Sequence, residues 1–492
     1  MVDFTRITEY RENNRLEAKK AVGGLPQSVW DTYSAFANTN GGVILLGVEE
    51  LPDKSLNIVG LDNPEKVTAD FWNTINNAQK VSRNILKDKH VRIFEYDGKR
   101  VVVIEVQRAE RVDKPIYLNN DVWNAFRRNG EGDFRCSKES VQAMIRDNGN
   151  DTQDMLALEN MPFSVFNYDT VRGYRNVMES TRPNHVWLSL DNDDFLLKLG
   201  AVRRGSDVKL HPTAAGLLMF GFEHEIVGEY PHYFLDYQEH YDAGLRWTDR
   251  ITSTSGEWSG NLFEFYYKAY NKLVQNPSIK IPFKIEGLYR VDDTPVHKAL
   301  REALANCLVN ADYYGEGGVV IKSHADKMTL ENPGGLRIRI EEAISGGYSN
   351  PRNSVLMKMF NLLDIGERAG SGVPNIYHVW KEQKWETPEI RERLDHIERT
   401  ALLLPLKKVA VKSSGKKVAV KSSDKHNGSK TDAQKSSILR YAKEYRTVKS
   451  ADLQAILNVG EQRVRKLLLE LVTSGELVAE GSNRNRTYRL PD

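Results

Sequence analysis

Residues 407–434 read KKVAVKSSGKKVAVKSSDKHNGSKTDAQ, a nine-residue Lys/Ser unit given twice and then running on in polar residues. Such a stretch cannot bury a core, so the chain must fold as separate bodies on either side of a tether. At roughly 100 to 200 residues per domain, 492 residues predict about three units, and a 40% apolar content lets each bury a core of its own. Fibrous and wholly disordered chains are excluded. Apolar runs such as 43–46 are far short of the roughly 20 residues of a membrane span, so no membrane partner is expected. Cys136 and Cys307 belong to no Cys-x-x-Cys and fit a reducing, cytoplasmic setting.

Charge changes sign across the tether. Residues 407–430 hold eight lysines and one acid, and residues 431–492 eleven Lys/Arg and eight acids. The tail from 407 thus carries +10 of a net +2, which leaves −8 on the first 406 residues. That division points to a tail facing nucleic acid, with a solubilising linker as the plainer alternative.

Beyond the tether, Ile438, Tyr441, Ala442 and Tyr445 recur at helical spacing, and Ser450 caps a second helix with Leu453, Ile456 and Leu457. A third helix buries Val464, Leu467, Leu468 and Leu471, while Gln462, Arg463, Arg465 and Lys466 cluster in its first turns as on a recognition helix. Strands at 477–480 and 486–490 flank Gly481-Ser482-Asn483-Arg484-Asn485, a hairpin whose Arg484 and Arg486 are placed to meet phosphate or the minor groove. The pattern resembles a winged helix-turn-helix, which implies duplex DNA as partner; protein contact is the alternative use of that fold.

At the other end, Val29, Thr32, Tyr33 and Phe36 share one face of a helix starting near Pro26, residues 43–48 form a buried strand, and Asp97-Gly98 joins two strands as a hairpin turn. Glu12-Asn13-Asn14-Arg15-Leu16-Glu17-Ala18-Lys19, then Ala35-Phe36-Ala37-Asn38-Thr39-Asn40-Gly41-Gly42 and Gly47-Val48-Glu49-Glu50, resemble the Schlafen AlbA_2 domain in three ordered motifs. The resemblance implies a nucleic-acid-binding module, for RNA or single strands. In some members it implies a metal-dependent endoribonuclease, whose carboxylates would here be Glu12, Glu17 and one of Glu49 or Glu50. Five residues separate Glu12 from Glu17, so they converge only if Asn13-Asn14 turns the chain, and shared Mg²⁺ or Mn²⁺ would make the cluster tolerable. Glu17 and Lys19 fall on one strand face, an acid to hold metal beside a base to neutralise phosphate; a solvated strand gives the same pattern. Gly41-Gly42 serves as a helix C-cap or as a phosphate cradle. Arg127 and Arg128 with Trp123 combine charge and ring as a single-strand surface does, unless the Trp packs beneath them as core.

In the middle, Glu302-x-x-x-Asn306-x-x-x-Asn310 aligns three polar groups on one helical face and calls for a ligand there. A strand pair follows, then Glu331-Asn332-Pro333-Gly334-Gly335 and the loop Gly366-Glu367-Arg368-Ala369-Gly370-Ser371-Gly372-Val373. The order resembles the Bergerat ATP-binding fold of gyrase and histidine kinases, in a divergent form. It implies Mg²⁺ on Asn310 assisted by Asn306, Glu302 as water-activating base if ATP is hydrolysed, and Gly334 and Gly335 beside the adenine. Asn332 stands where typical members carry Asp. Gly370 and Gly372 would offer amides to phosphates, with Arg352 and Asn353 in the lid. No Gly-x-x-x-x-Gly-Lys-Ser/Thr loop appears, which leaves a helicase reading unsupported.

The expectation is a multi-domain α/β (α+β) protein: an AlbA_2-like domain over 1–150, a bridging α/β region over 151–290, a Bergerat-like α/β sandwich over 291–406, the linker 407–434 and a winged helix over 435–492. The leading function is an ATP-binding, nucleic-acid-binding transcriptional regulator in which nucleotide controls the flanking domains. The alternative is a Schlafen-like nuclease gated by nucleotide in phage defence. Slow ATPase activity and a homo-oligomer stay open.

Overall fold

The computed structural model describes residues 3–149, 151–242, 244–279, 284–286, 289–291, 294–366, 370–394 and 397–409, and beyond the tether 435, 437–439, 441–443, 447–449, 452–453, 461–474, 476–480 and 487–490. Contacts divide the chain into two units, Met1–Ala410 and Val411–Asp492. Among the described residues no helix is long and apolar enough to cross a membrane.

The first unit opens with β1 (Leu16–Lys19), α1 (Ser28–Asn38), β2 (Gly42–Leu46), a β3–β4 hairpin (Val48–Glu50, Leu56–Ile58), α2 (Pro64–Ile75), β5 (Val91–Tyr96) and β6 (Lys99–Val106). The sheet runs β1-β2-β6-β5, with β1 and β2 parallel across the α1 crossover and the rest antiparallel. Asp97 and Gly98 both take positive φ, as the tight turn between β5 and β6 requires. A three-stranded sheet, β7 (Tyr117–Leu118), β8 (Asp121–Asn129) and β9 (Gly132–Arg135), then leads into α3 (Lys138–Asn148). Helix α1 is buried on nearly every side, so it needs polar anchors as well as apolar ones. Trp30 stacks on Phe71 at 5.2 Å, and the fully buried Asn38 donates to the carbonyls of Ile116 and Phe126 and accepts from the Ile116 N–H. Gly41 ends the helix with positive φ, its N–H bonded to the Phe36 carbonyl at 2.8 Å. A Cβ there would meet the Val106 carbonyl at 2.7 Å, so the glycine turn is a helix cap pressed against β6.

Next come α4 (Tyr168–Thr181), α5 (Asn192–Leu199), the β10–β11 pair (Val202–Arg204, Leu210–Pro212), α6 (Ala214–Phe220), α7 (Glu223–Glu229), β12 (Leu235–His240), β13 (Asp249–Thr252) and α8 (Leu262–Leu273). The pair β14–β15 (Lys284–Glu286, Tyr289–Val291) precedes α9 (Pro295–Val309), β16 (Val319–His324), β17 (Lys327–Pro333), α10 (Ile340–Ser345), α11 (Ser354–Asn361), α12 (Gly372–Glu382), β18 (Glu389–Arg393) and β19 (Arg399–Pro405). One six-stranded sheet, β13-β12-β16-β17-β19-β18, takes strands from both sides of residue 290. Its core likewise runs without a break from Val165 to Leu406. β12 and β16 pair in parallel, which needs a long crossover, and α8 and α9 lie within that crossover.

The second unit holds α13 (Glu461–Thr473) and a hairpin of β20 (Val478–Glu480) with β21 (Thr487–Arg489), closed over Ile438, Ala442, Val464, Leu467, Leu468 and Leu471. Val448 bridges to Tyr488 as a short third strand. Arg484 and Arg486 and the side chains of Gln462 and Arg463 lie outside the described residues.

The two parts of the first unit are joined by ion pairs. Asp147, at the end of α3, takes both Arg352 Nε and Nη2, at 2.9 and 2.7 Å. Burial works to raise the Asp147 pKa, but Arg352, Arg337 and Arg146 outweigh it and hold the carboxyl below the usual range. A lowered pKa gives stability that is present above the ordinary Asp value of about 4 and lost as pH falls through the folded value. Asp147→Asn should therefore cost about 3 kcal/mol by leaving Arg352 unpaired. Denaturant unfolding between pH 3 and 7 should show the wild type losing its advantage over the variant on acidification.

Candidate functional site

The three polar residues of α9 line one cavity. Glu302, Asn306 and Asn310 stand on its helical wall with Ala303 and Cys307, and Asn332 and Thr400 face them from paired positions on β17 and β19. Two residues further along those strands, Leu330 and Leu402 continue the same face, with Ile390 opposite Leu402, so the floor is polar at one end and apolar at the other. Gly370, Gly372, Val373 and Ile376 close the cavity from α12 and the loop before it, and residues 348–351 cover it. The cavity volume is about 120 Å³. Small-molecule sites usually start near 300 Å³, so a nucleotide needs more room than the cavity gives as it stands.

Inside, the polar groups bond to one another. Asn306 Nδ2 donates to Glu302 Oε1 at 3.1 Å, and Asn310, the C-cap of α9, donates to the Asn306 carbonyl at 2.9 Å. The carboxylate of Glu302 lies on Gly372, where a Cβ would come within 1.8 Å of Oε1. The start of α12, expected to hold phosphate, thus already has an anion beside it, where the helix dipole favours one. Burial pushes the Cys307 thiol up to about 12, so this cysteine is not a nucleophile at neutral pH.

Two glycines of the expected adenine side do not line this cavity. Gly334, at positive φ, and Gly335 let Arg352 approach: a Cβ on Gly334 would meet Arg352 Nη1 at 2.6 Å, and the Gly335 carbonyl accepts from Arg352 Nη2 at 2.9 Å. Arg352 and Asn353 are not a lid either. Both are buried, and Asn353 donates to the Val309 and Ala311 carbonyls. The cover is the segment before them, with Tyr348 exposed on it. Glu367, Arg368 and Ala369 lie outside the described residues. Sequence periodicity missed Thr400 because its place depends on the β17–β19 register.

In the AlbA_2-like part, Asn13 does turn the chain: its backbone bridges to Leu16, and Glu12 Oε1 accepts from the Ala18 N–H at 2.9 Å. Burial raises the Glu12 pKa, and the nearby Glu17 and Glu50 carboxylates push the same way. Glu49 faces away, paired with Lys20 at 2.8 Å and bonded by Asn57. Strand alternation separates it from Glu50, which pairs with Lys54 at 3.0 Å and keeps Oε1 buried without a partner. Both oxygens of Glu17 are occupied, by Lys19 and by Arg128, each at 2.8 Å. Among the described residues no three His, Cys, Asp or Glu side chains group closely enough to hold a metal ion, so Glu12 and Glu17 do not form one with Glu50.

The single-strand surface expected at Arg127 and Arg128 is not there. Alternation along β8 sends them to opposite faces, and both faces are covered. Arg128 is held by Glu17, Asp133 and the Asn13 carbonyl, and Arg127 by Glu398 at 2.7 Å. Trp123 is the exposed member of the set, 40% accessible.

Comparison with known proteins accords with this division. A Schlafen AlbA_2 family model matches residues 6–137. Residues 316–400 match the family described as "Putative ATP-dependent DNA helicase recG C-terminal", and residues 142–236 a domain of unknown function, DUF8451. Among solved structures, the DIP2311 protein from Corynebacterium diphtheriae is 16% identical, covering 97% of this chain and 95% of that one at a TM-score of 0.39. The N-terminal domain of a RecG-related protein from Nitrosomonas europaea is 30% identical, covering 27% of this chain and 90% of that one at a TM-score of 0.22. No curated protein matches.

The close approach at Gly372 gives a direct check of the cavity. Gly372→Ala should lower stability by about 1–3 kcal/mol through overpacking against Glu302. Gly228→Ala, with nothing within 4 Å of its Cβ, should be neutral or slightly stabilising by denaturant unfolding.

Proposed function

We propose that the protein is a cytoplasmic nucleic-acid-binding regulator whose middle part binds ATP. The observation that carries the reading is the convergence of Glu302, Asn306, Asn310, Asn332, Gly370 and Gly372, from three separate sequence segments, on one cavity with an apolar side. Asn332 and Thr400 offer acceptor oxygens to a base, their donors being taken by the Pro333 and Gly334 carbonyls, and the apolar strand residues offer a surface for it to lie on. Glu302, Asn306 and Asn310 bring hard oxygen ligands of the kind Mg²⁺ takes, and Mg²⁺ would supply charge neutralisation for the phosphates. Phosphates compete with Glu302 for the start of α12, so nucleotide binding moves that side chain and hence the α9–α12 contact.

Nucleic-acid binding is supported by the AlbA_2 match and by the second unit, where Arg465 and Lys466 are exposed on α13 while its apolar face is buried. A hairpin beside such a helix is what a winged helix presents to duplex DNA. The reading of a Mg²⁺- or Mn²⁺-dependent nuclease is the weaker one, because each oxygen of Glu17 is already paired with a cation, Lys19 or Arg128, that a metal there would have to compete with.

Two measurements test the proposal on the full chain. By calorimetry, ATP with Mg²⁺ should bind, and Asn306→Ala together with Asn332→Ala should weaken it at least tenfold; unchanged affinity would remove the cavity from consideration. In fluorescence polarisation, duplex DNA affinity should fall steeply with salt, and Arg465→Ala or Lys466→Ala should each reduce the log–log slope by about 1. ATP should shift that affinity in the wild type and not in the Asn306/Asn332 variant. Cleaved nucleic acid that disappears in Glu17→Ala would favour the nuclease instead.

A further inference from the structure

A second, smaller cavity of about 50 Å³ lies on the seam between the AlbA_2 domain and the six-stranded sheet. Five cations line it, Arg108, Arg111, Lys114, Arg127 and Arg337, against two carboxylates, Asp147 and Glu398. Arg108 is matched by Glu392 at 2.6 Å and Arg127 by Glu398, while Asp147 is taken up by Arg352. The other three hydrogen-bond only to main-chain carbonyls, and of these Arg337 alone has a carboxylate near, Asp147 Oδ1 at 3.8 Å from its Nε. Arg111 donates to those of Asp147, Asn148 and Gly149, Lys114 to that of Asn38 at 2.9 Å, and Arg337 to those of Pro351 and Asp147.

Carbonyls satisfy donors but do not neutralise charge, and enclosed cations without counter-charge are costly. Two donors are not even satisfied. The Nε–H groups of Arg127 and Arg337 are buried with no hydrogen-bond partner, on side chains that are 10% and 4% exposed. Burial, with Arg108 and Arg127 adding to it, drives Lys114 well below the ordinary lysine range, and burial brings Arg337 down to about 10. These are the marks of a cluster lacking an anion.

We infer that this seam is a binding site for a phosphate group, held by Arg111, Lys114, Arg127 and Arg337. A tetrahedral oxyanion carries several acceptor oxygens and up to two charges, which meets the excess of cations. The cavity exceeds the space of a single water but is too small for a nucleoside, so the ligand presents a bare phosphate or phosphate end. A nucleic-acid backbone does not fit, because Arg127 and Arg337 are enclosed. Arg337 also lines the α9 cavity, so the phosphate has two sources: free phosphate, or the phosphate end of a ligand seated next door.

The test is calorimetry and thermal unfolding of the full chain with inorganic phosphate, against chloride at equal ionic strength. Phosphate should bind saturably and raise Tm, and Arg111→Gln and Lys114→Gln should each weaken it at least tenfold. Arg111 and Lys114 do not line the α9 cavity, so their loss leaves the ATP-binding arm interpretable. Competition between phosphate and ATP would name the nucleotide as the source, and independent binding would name free phosphate. If Lys114→Gln does not fold, Arg111→Gln, at the more open edge, decides. No saturable binding in the wild type, or binding undiminished in the folded variants, overturns the assignment.

Discussion

At the pair between Asp147 and Arg352 three parts of the first unit meet. The carboxylate ends α3, the last helix of the AlbA_2 part, while the guanidinium donates to the carbonyls of Asn310 and Gly335. One planar group therefore holds the C-terminus of the helix that carries Glu302 and Asn306, the glycine turn after β17 and the neighbouring domain at once. Lysine could not replace it, since a single ammonium has neither the fork nor the reach for four oxygens in fixed directions. Gly334 has no side chain because Arg352 occupies that space.

This arrangement gives a route from the α9 cavity to the AlbA_2 domain that needs no long-range movement. Glu302 sits against the start of α12, Asn310 caps the same helix as Glu302, and Arg352 reads the position of that cap. Through Arg352, α9 is thus tied to Asp147. Coupling of this kind requires only that α9 have two stable positions relative to α12.

Much of this was legible in the sequence where local rules dominate. The i, i+4 spacing of Glu302, Asn306 and Asn310 put them on one wall, Asp97-Gly98 made its turn, and Val464, Leu467, Leu468 and Leu471 formed a buried face. What could not be read was set by pairing between distant segments. Arg127 and Arg128 look like a basic surface until Glu398 and Glu17 are brought to them. Gly334 and Gly335 look like a ligand cradle until Arg352 fills it. Glu49 and Glu50 are told apart only by the pairing of β3 with β4 and the side to which each then points. In each case a charge or a gap in the sequence had two physical solutions, solvent or a partner, and the fold supplied the partner.

The six-stranded sheet also bears on how such a chain can be divided. β16 is an interior strand only because β12, more than 70 residues earlier, lies along it in parallel register. A fragment cut at the limits of the 316–400 match would expose the Val319–His324 edge and remove α9 altogether. Exposed edges of this kind pair with other chains. The segment that looks like a connector between two recognisable domains is thus structurally part of the second, and the borders that sequence similarity draws cut through one sheet.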